Sequence, residues 1–275
     1  MPEQPRERDY VLGTHEEEVE RLGLQHRVWR ERTLECWQRA GIAAGWRVLD
    51  VGAGPGYATL DLAEMVGPTG EVVAVERSER FLDHARQACA ERGFTNVRFR
   101  EMDVMQDSFG VQGLDAAWCR WVTSFVTSPA KLVANIAVAL KPGGIVAFHE
   151  YVDYRSWRMA PRGERHQEFV SQVQASWRAN GGEPDVARLL PRLLVEAGFE
   201  IRHVAPIVLA VRPCDFEWQW PATFIEINLR RLLELGRVQA DWVESVRAEL
   251  RAAEANPATV MLTPMVLEII AARAK

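Results

Sequence analysis

From residue 47 onward the chain alternates short apolar runs with longer stretches whose apolar positions recur at helical spacing. The apolar runs fall at 47–51, 71–75, 97–101, 114–118 and 144–149, and the helical stretches at 57–66, 79–92 and 129–140. Such alternation predicts a parallel sheet with helices on both faces. Turn formers such as Gly67-Pro68-Thr69-Gly70 separate the elements. Further on, a helix over 185–197 stops at Gly198, a strand follows over 199–211, and a last strand is expected at 264–272. Upstream, residues 1–13 read as a flexible arm, and Thr14 with Glu17 reads as a capping box. The helix it opens carries Val19, Leu22, Gln25 and Trp29 on one face, and a second helix with Leu34 and Trp37 leads to Gly41. Two segments exceed what such a core needs, 151–182 and 213–258. Both leave from the carboxyl ends of parallel strands, where open α/β sheets bind ligands, so they are expected to form a cover over the pocket.

The first apolar run ends in the loop Asp50-Val51-Gly52-Ala53-Gly54-Pro55-Gly56-Tyr57. Three residues without Cβ let a ligand approach the backbone closely. A dinucleotide fingerprint would need glycine where Tyr57 stands, and the Asp50 carboxylate would repel a phosphate but attract a cation. A positively charged nucleoside fits better, and S-adenosylmethionine is one. The second run ends in Glu76, placed to accept from ribose hydroxyls. The third is followed by Met102-Asp103-Val104, an apolar pair able to sandwich a base around an acceptor for its exocyclic amine. Each acid also has a plain reading: Asp50 bonding amides of the glycine turn, Glu76 a solvated helix opener, Asp103 a turn former.

Taken together, Asp50, the glycines, Glu76 and Asp103 resemble the class I S-adenosylmethionine-dependent methyltransferases, as does Leu140-Lys141-Pro142-Gly143-Gly144 as the turn before the fifth strand. The resemblance covers roughly residues 40–211. It implies an α/β, Rossmann-like, doubly wound seven-stranded sheet with its last strand antiparallel and helical lid insertions. The expected division is a helical cap over 1–45, a cofactor-binding core over 46–150, an insertion over 151–182, core again over 183–212, a lid over 213–258 and a final strand within 259–275. It implies S-adenosylmethionine as cofactor and S-adenosylhomocysteine as product, held by Asp50, Gly52, Ala53, Gly54, Gly56, Glu76, Met102, Asp103 and Val104. Arg77 and Cys119 join that set. In methyltransferases of this kind an N-terminal helix closes over the cofactor, so Gln25 and Arg21, one turn earlier, are candidates for its methionine end.

Composition narrows the partners. A net charge of −5 supplies no electrostatic footprint for nucleic acid. No stretch of about 18 apolar residues exists to span a membrane. Cys36, Cys89, Cys119 and Cys214 form no CxxC pair, so reduced thiols in a cytoplasmic protein are expected, and no metal. The oligomeric state is open, a homodimer included. Ten tryptophans stand against four tyrosines. Those near the strand ends and insertions read as an apolar acceptor wall, which nominates Trp29, Trp121, Tyr151, Trp157 and Trp218 for substrate. The fourth strand lacks the Asn/Asp-Pro-Pro-Tyr/Phe sequence of enzymes that methylate base or amide nitrogens. The expected acceptor is a small, largely apolar molecule; an RNA or protein methyltransferase and a non-catalytic cofactor-binding scaffold are the rivals. His149 and Glu150 close the fifth run at the expected rim and are the candidate bases, with a wall histidine bonded to backbone as the plain alternative.

Overall fold

The computed structural model describes residues 16–105 and 108–275. The expected arm and Thr14 of the capping box lie outside the described residues. Where the pattern predicts two N-terminal helices there is one, α1, unbroken over Glu16–Ala40. No proline interrupts it, and its internal glycine has a packing reason: a Cβ on Gly23 would lie 2.8 Å from the Tyr57 hydroxyl. Its inner face buries Trp29, Cys36 and Trp37 completely.

The core then follows the expected alternation: β1 (Arg47–Val51), α2 (Tyr57–Val66), β2 (Glu71–Glu76), α3 (Glu79–Glu91), β3 (Val97–Glu101), β4 (Leu114–Arg120), α4 (Pro129–Ala139) and β5 (Leu140–Asp153). Ser78 and Ser128 cap α3 and α4 by accepting from Phe81 N–H and Lys131 N–H. The main sheet has seven strands in the order β3-β2-β1-β4-β5-β10-β7, where β7 is Phe199–Ile207 and β10 is Met265–Arg273. β10 runs antiparallel to both neighbours. Strands β1, β2 and β4 are apolar on both faces because helices cover both.

Three elements depart from the sequence pattern. β5 is longer than 144–149 at both ends: Leu140 already pairs with Leu114, the next residues bulge around Gly143, and pairing resumes at Ile145 with Ala116. At its far end β5 continues to Asp153 because Tyr151 and Asp153 pair with Val266 and Met265. The first insertion therefore begins inside a strand. The expected strand over 199–211 divides: β7 stops at Ile207, and β8 (Ala210–Val211) joins a separate sheet with β6 (Arg158–Ala160) and β9 (Val260–Leu262) in the order β6-β9-β8. The helix expected over 185–197 is a 3₁₀ turn at Val186–Arg188 followed by α6 (Leu190–Glu196), whose second residue is Pro191.

The cover is thus mixed rather than helical. It comprises α5 (Glu164–Ala179), α7 (Gln219–Glu234), α8 (Ala240–Glu254) and the small sheet, which ties the first insertion to the two ends of the second through Met159, Met261 and Val211. Trp157, Phe169, Trp177, Phe224 and Met261 form its centre, and the cluster continues into Val28 and Trp29 of α1. Each such side chain contributes about 1.5–3 kcal/mol by leaving water, so α1 and the cover are welded by burial.

Candidate active site

A cavity of about 820 Å³ opens at the carboxyl ends of β1, β2 and β4, between the glycine loop and α1. Two of the loop's three glycines face different surroundings. Gly54, at φ +56°, faces open space: a Cβ there would meet nothing within 4 Å, and the residue lines the cavity. Gly56, at φ +89°, instead stands at the start of α2, where a Cβ would collide with that of Ala85 at 2.5 Å. Its glycine serves the packing of α2 on α3, and it does not line the cavity.

Two carboxylates divide the labour there. Glu76 accepts from the backbone N–H groups of Gly54, Arg77 and Ser78 at 3.0, 2.9 and 3.0 Å. It thereby ties the glycine loop to the start of α3. A carboxylate offers about four lone-pair sites, so one remains for a ligand hydroxyl. Bonding the loop amides, the plain reading of Asp50, is the work of Glu76. Asp50 itself is buried and accepts the Thr59 hydroxyl at 2.6 Å. Burial pushes its carboxyl up to about 6, so it is charged at neutral pH at the edge of the cavity. Met102, Asp103 and Val104 line the far end, where exposed Asp103 also accepts from Met105 N–H at 2.8 Å. Gly52, Ala53 and Arg77 line the same side, with Ser78 and Phe81. An open glycine, an acid with a lone pair to spare and an apolar slot fit a nucleoside.

At the opposite side the end of β4 presents Trp118, Arg120 and Trp121 to the cavity. The Arg120 guanidinium lies 5.1 Å from the Trp121 ring centre and 5.9 Å from that of Trp118. It donates to the Thr33 hydroxyl at 2.9 Å and approaches His26 Nδ1 at 3.3 Å. Burial brings its pKa down to about 10, which leaves it charged at neutral pH. Among the described residues Trp121 is the one non-glycine at positive φ, +53°. Its ring is clamped between Tyr151 and Trp220 at 5.6 and 5.8 Å, nearly parallel to both. Strained backbone of this kind persists where surroundings over-determine it.

Residues 48–144 match the family described as a methyltransferase domain. The ubiquinone/menaquinone biosynthesis C-methyltransferase UbiE of Ectopseudomonas oleovorans is 32% identical over 123 residues, 44% of this chain and 71% of that protein. The chain belongs to the class I S-adenosylmethionine-dependent methyltransferases. A second UbiE, that of Idiomarina loihiensis, is 31% identical over 127 residues, 46% of this chain and 49% of the relative. This chain spans about half the length of most such relatives. The fold also matches the geranyl diphosphate C-methyltransferase of Streptomyces coelicolor, with a TM-score of 0.58 and 17% identity over 90% of this chain and 77% of that one.

In this methyltransferase-family chain several sequence candidates do not reach the cavity. His149 is fully buried, with Nε2 2.9 Å from Glu268 on β10 and its ring against Trp118 and Trp29. Burial lowers its pKa. Glu150, on the other face of β5, accepts Val122 N–H at 2.8 Å, Thr123 N–H at 2.7 Å and the Ser124 hydroxyl at 3.0 Å. It caps the turn after β4. Both sit inside the sheet because β5 outruns the rim expected at 149. Cys119 is buried beside Thr123, with its thiol pushed up by burial, and has no face on the cavity. Arg21 is held by Glu18 and Gln25; Gln25 does line the cavity, and its carbonyl also takes the Trp220 indole N–H.

The aromatic candidates divide likewise. Trp121 lines the cavity, whereas Trp29 is fully buried edge-on to Trp121 and Trp220. Trp157 donates to Met261 Sδ and Trp218 to Glu254, both within the cover. Tyr151 and Trp157 border a crevice of about 10 Å³, room for one water at most. These residues build the wall behind the wall. Cys36, His149 and Glu268 bring three potential ligand atoms within 4.8 Å of one another, yet the Arg39 guanidinium already pairs with that carboxylate, as does His149 itself. Arg120 and His26 were the residues the sequence pattern passed over. The run Trp118-Cys119-Arg120-Trp121, a lone cation between two tryptophans at a strand end, was the available signal for the first.

Proposed function

We propose that this chain transfers a methyl group from S-adenosylmethionine to a small, largely apolar acceptor bound beneath the cover. The observation that carries this reading is one continuous cavity with a nucleoside-type end, Glu76 to Val104, and an aromatic end, Trp118 to Phe125. Its volume lies within the range of about 300–1,000 Å³ that encloses drug-sized ligands. The relatives are named for carbon methylation in ubiquinone and menaquinone biosynthesis, which supports a small-molecule acceptor. When bound, the cofactor supplies a methyl group on a sulfonium, already a good leaving group. The protein's part is then alignment and exclusion of water. Glu76 takes a ribose hydroxyl, charged Asp50 favours the cationic end, and the indoles of Trp118 and Trp121 keep water from the reacting face. The test is incubation with S-adenosylmethionine and a metabolite extract, following S-adenosylhomocysteine and new masses raised by one methyl. Cofactor binding with no turnover across a broad extract would instead favour a scaffold.

A further inference from the structure

His26 projects from α1 onto the cavity wall, one residue beyond Gln25. Its Nε2 lies 3.0 Å from the buried carboxylate of Asp61 on α2, and that carboxylate is also held by Arg30 at 2.9 and 3.1 Å. The other ring nitrogen, Nδ1, faces Arg120 Nη2 at 3.3 Å. A guanidinium has only donors, so Nδ1 carries the lone pair and Nε2–H donates to Asp61. The ring is stacked on Tyr57 at 5.9 Å. A buried imidazole is thus fixed in one tautomer, with its basic nitrogen beside a cavity-lining cation.

Building on the methyl-transfer reading above, we propose that His26 is the general base of the reaction, that Asp61 positions it, and that the acceptor presents a hydroxyl to the corner between His26 and Arg120. The long 3.3 Å contact between Arg120 and Nδ1 is replaced by two shorter ones, the acceptor oxygen accepting from Arg120 and donating to Nδ1. In the transfer the O–H bond breaks, its proton goes to Nδ1, and the electron pair left on oxygen forms the O–CH₃ bond. The S–CH₃ bond breaks with its pair returning to sulfur, which becomes a neutral thioether. The positive charge lost by sulfur ends on the imidazolium, against the Asp61 carboxylate. The charged groups facing His26 are Asp61 of α2, Arg30 of α1 and Arg120 of β4, with the Tyr57 hydroxyl on the stacked ring. Burial, then the two arginines, keep the imidazole pKa below 6.5 against the opposing pull of Asp61, so the base is neutral and competent at neutral pH.

The test uses the full chain with ¹⁵N-labelled histidine, loaded with S-adenosylhomocysteine, and naphthol, naphthylamine and vinylnaphthalene as hydroxyl, amine and alkene probes. The resonance that vanishes in His26→Asn should report an Nε2–H tautomer with unprotonated Nδ1, and naphthol alone of the three should shift it. With S-adenosylmethionine, naphthol methylation should show an acid limb below pH 6.5. His26→Asn should abolish that limb and slow the reaction by roughly 10²–10⁴-fold, with S-adenosylhomocysteine affinity unchanged. Asp61→Asn should move the limb to lower pH, a change that mere loosening of the fold would not produce. An Nδ1–H tautomer, or a resonance that ignores naphthol, overturns the proposal. So does a His26→Asn variant that loses cofactor affinity but not rate, which would make the residue a cofactor contact. Failure of wild-type protein to bind S-adenosylhomocysteine would instead remove the methyl-transfer reading itself.

Discussion

Among the described residues two histidine–carboxylate pairs are buried on both sides, His26 with Asp61 and His149 with Glu268. Their geometry is nearly the same, at 3.0 and 2.9 Å, and burial lowers the pKa of both imidazoles. They differ in what the second nitrogen meets. His26 Nδ1 faces a guanidinium on the cavity wall, whereas His149 Nδ1 is sealed without a hydrogen-bond partner behind Trp118 and Trp29. A histidine–carboxylate pair is therefore no mark of a working site; access and the surroundings of the free nitrogen decide.

The largest expected contrast is kinetic. His26→Asn should cost the two to four orders of magnitude given above, while His149→Asn should leave kcat and cofactor affinity where they are and lower the unfolding midpoint. Equal kinetic losses in the two variants would erase the distinction.

Next in size is the sealed pair's contribution to stability. Glu268 anchors Arg39 and His149, so Glu268→Ala should destabilise by about 3–4 kcal/mol, the lower part of the range for breaking a buried pair, since half-exposed Arg39 can return to water. Denaturant unfolding measures it, and S-adenosylhomocysteine affinity should not change.

The pattern of legible and illegible features follows sequence distance. The glycine loop, Glu76 and the apolar runs are local, so spacing alone located the loop and acid that line the cavity and the succession of strands and helices along the core. His26 and Asp61 are 35 residues apart, and Arg120 is 94 from His26, so no local pattern joins them. The choice of His149 and Glu150 failed for a different reason. Where a strand ends depends on its neighbours, and β10 extends β5 past the point at which its own apolar run stops. The cover tryptophans were correctly placed on the insertions, but a large aromatic on a lid is as useful to the lid's own core as to a ligand. Nothing in their spacing separates those roles.

The pH dependence of stability sharpens the picture at Glu150, whose carboxyl burial pushes up to about 7 from 4.5. Its folded pKa lies above the unfolded one, so the folded state binds the proton more tightly. Stability contributed by the protonated form is complete below about pH 4.5 and is lost as pH rises through about 7. The decline should be on the order of 3 kcal/mol, and Glu150→Gln should flatten it. A slope unchanged in Glu150→Gln would place the titrating group elsewhere.

The smallest effect is expected at Thr59, whose hydroxyl supports Asp50. Thr59→Val should weaken S-adenosylhomocysteine binding by about 1 kcal/mol, measurable by calorimetry as a several-fold rise in Kd.

If the cavity is the cofactor site, Glu76 is its anchor. Calorimetric titration of S-adenosylhomocysteine into wild-type protein and Glu76→Ala tests this most directly. Wild type should bind S-adenosylhomocysteine and ignore NAD, and Glu76→Ala should lose about 1.5–3 kcal/mol, more than tenfold in Kd. Binding unaltered by the substitution, or no binding by the wild-type chain, would contradict it.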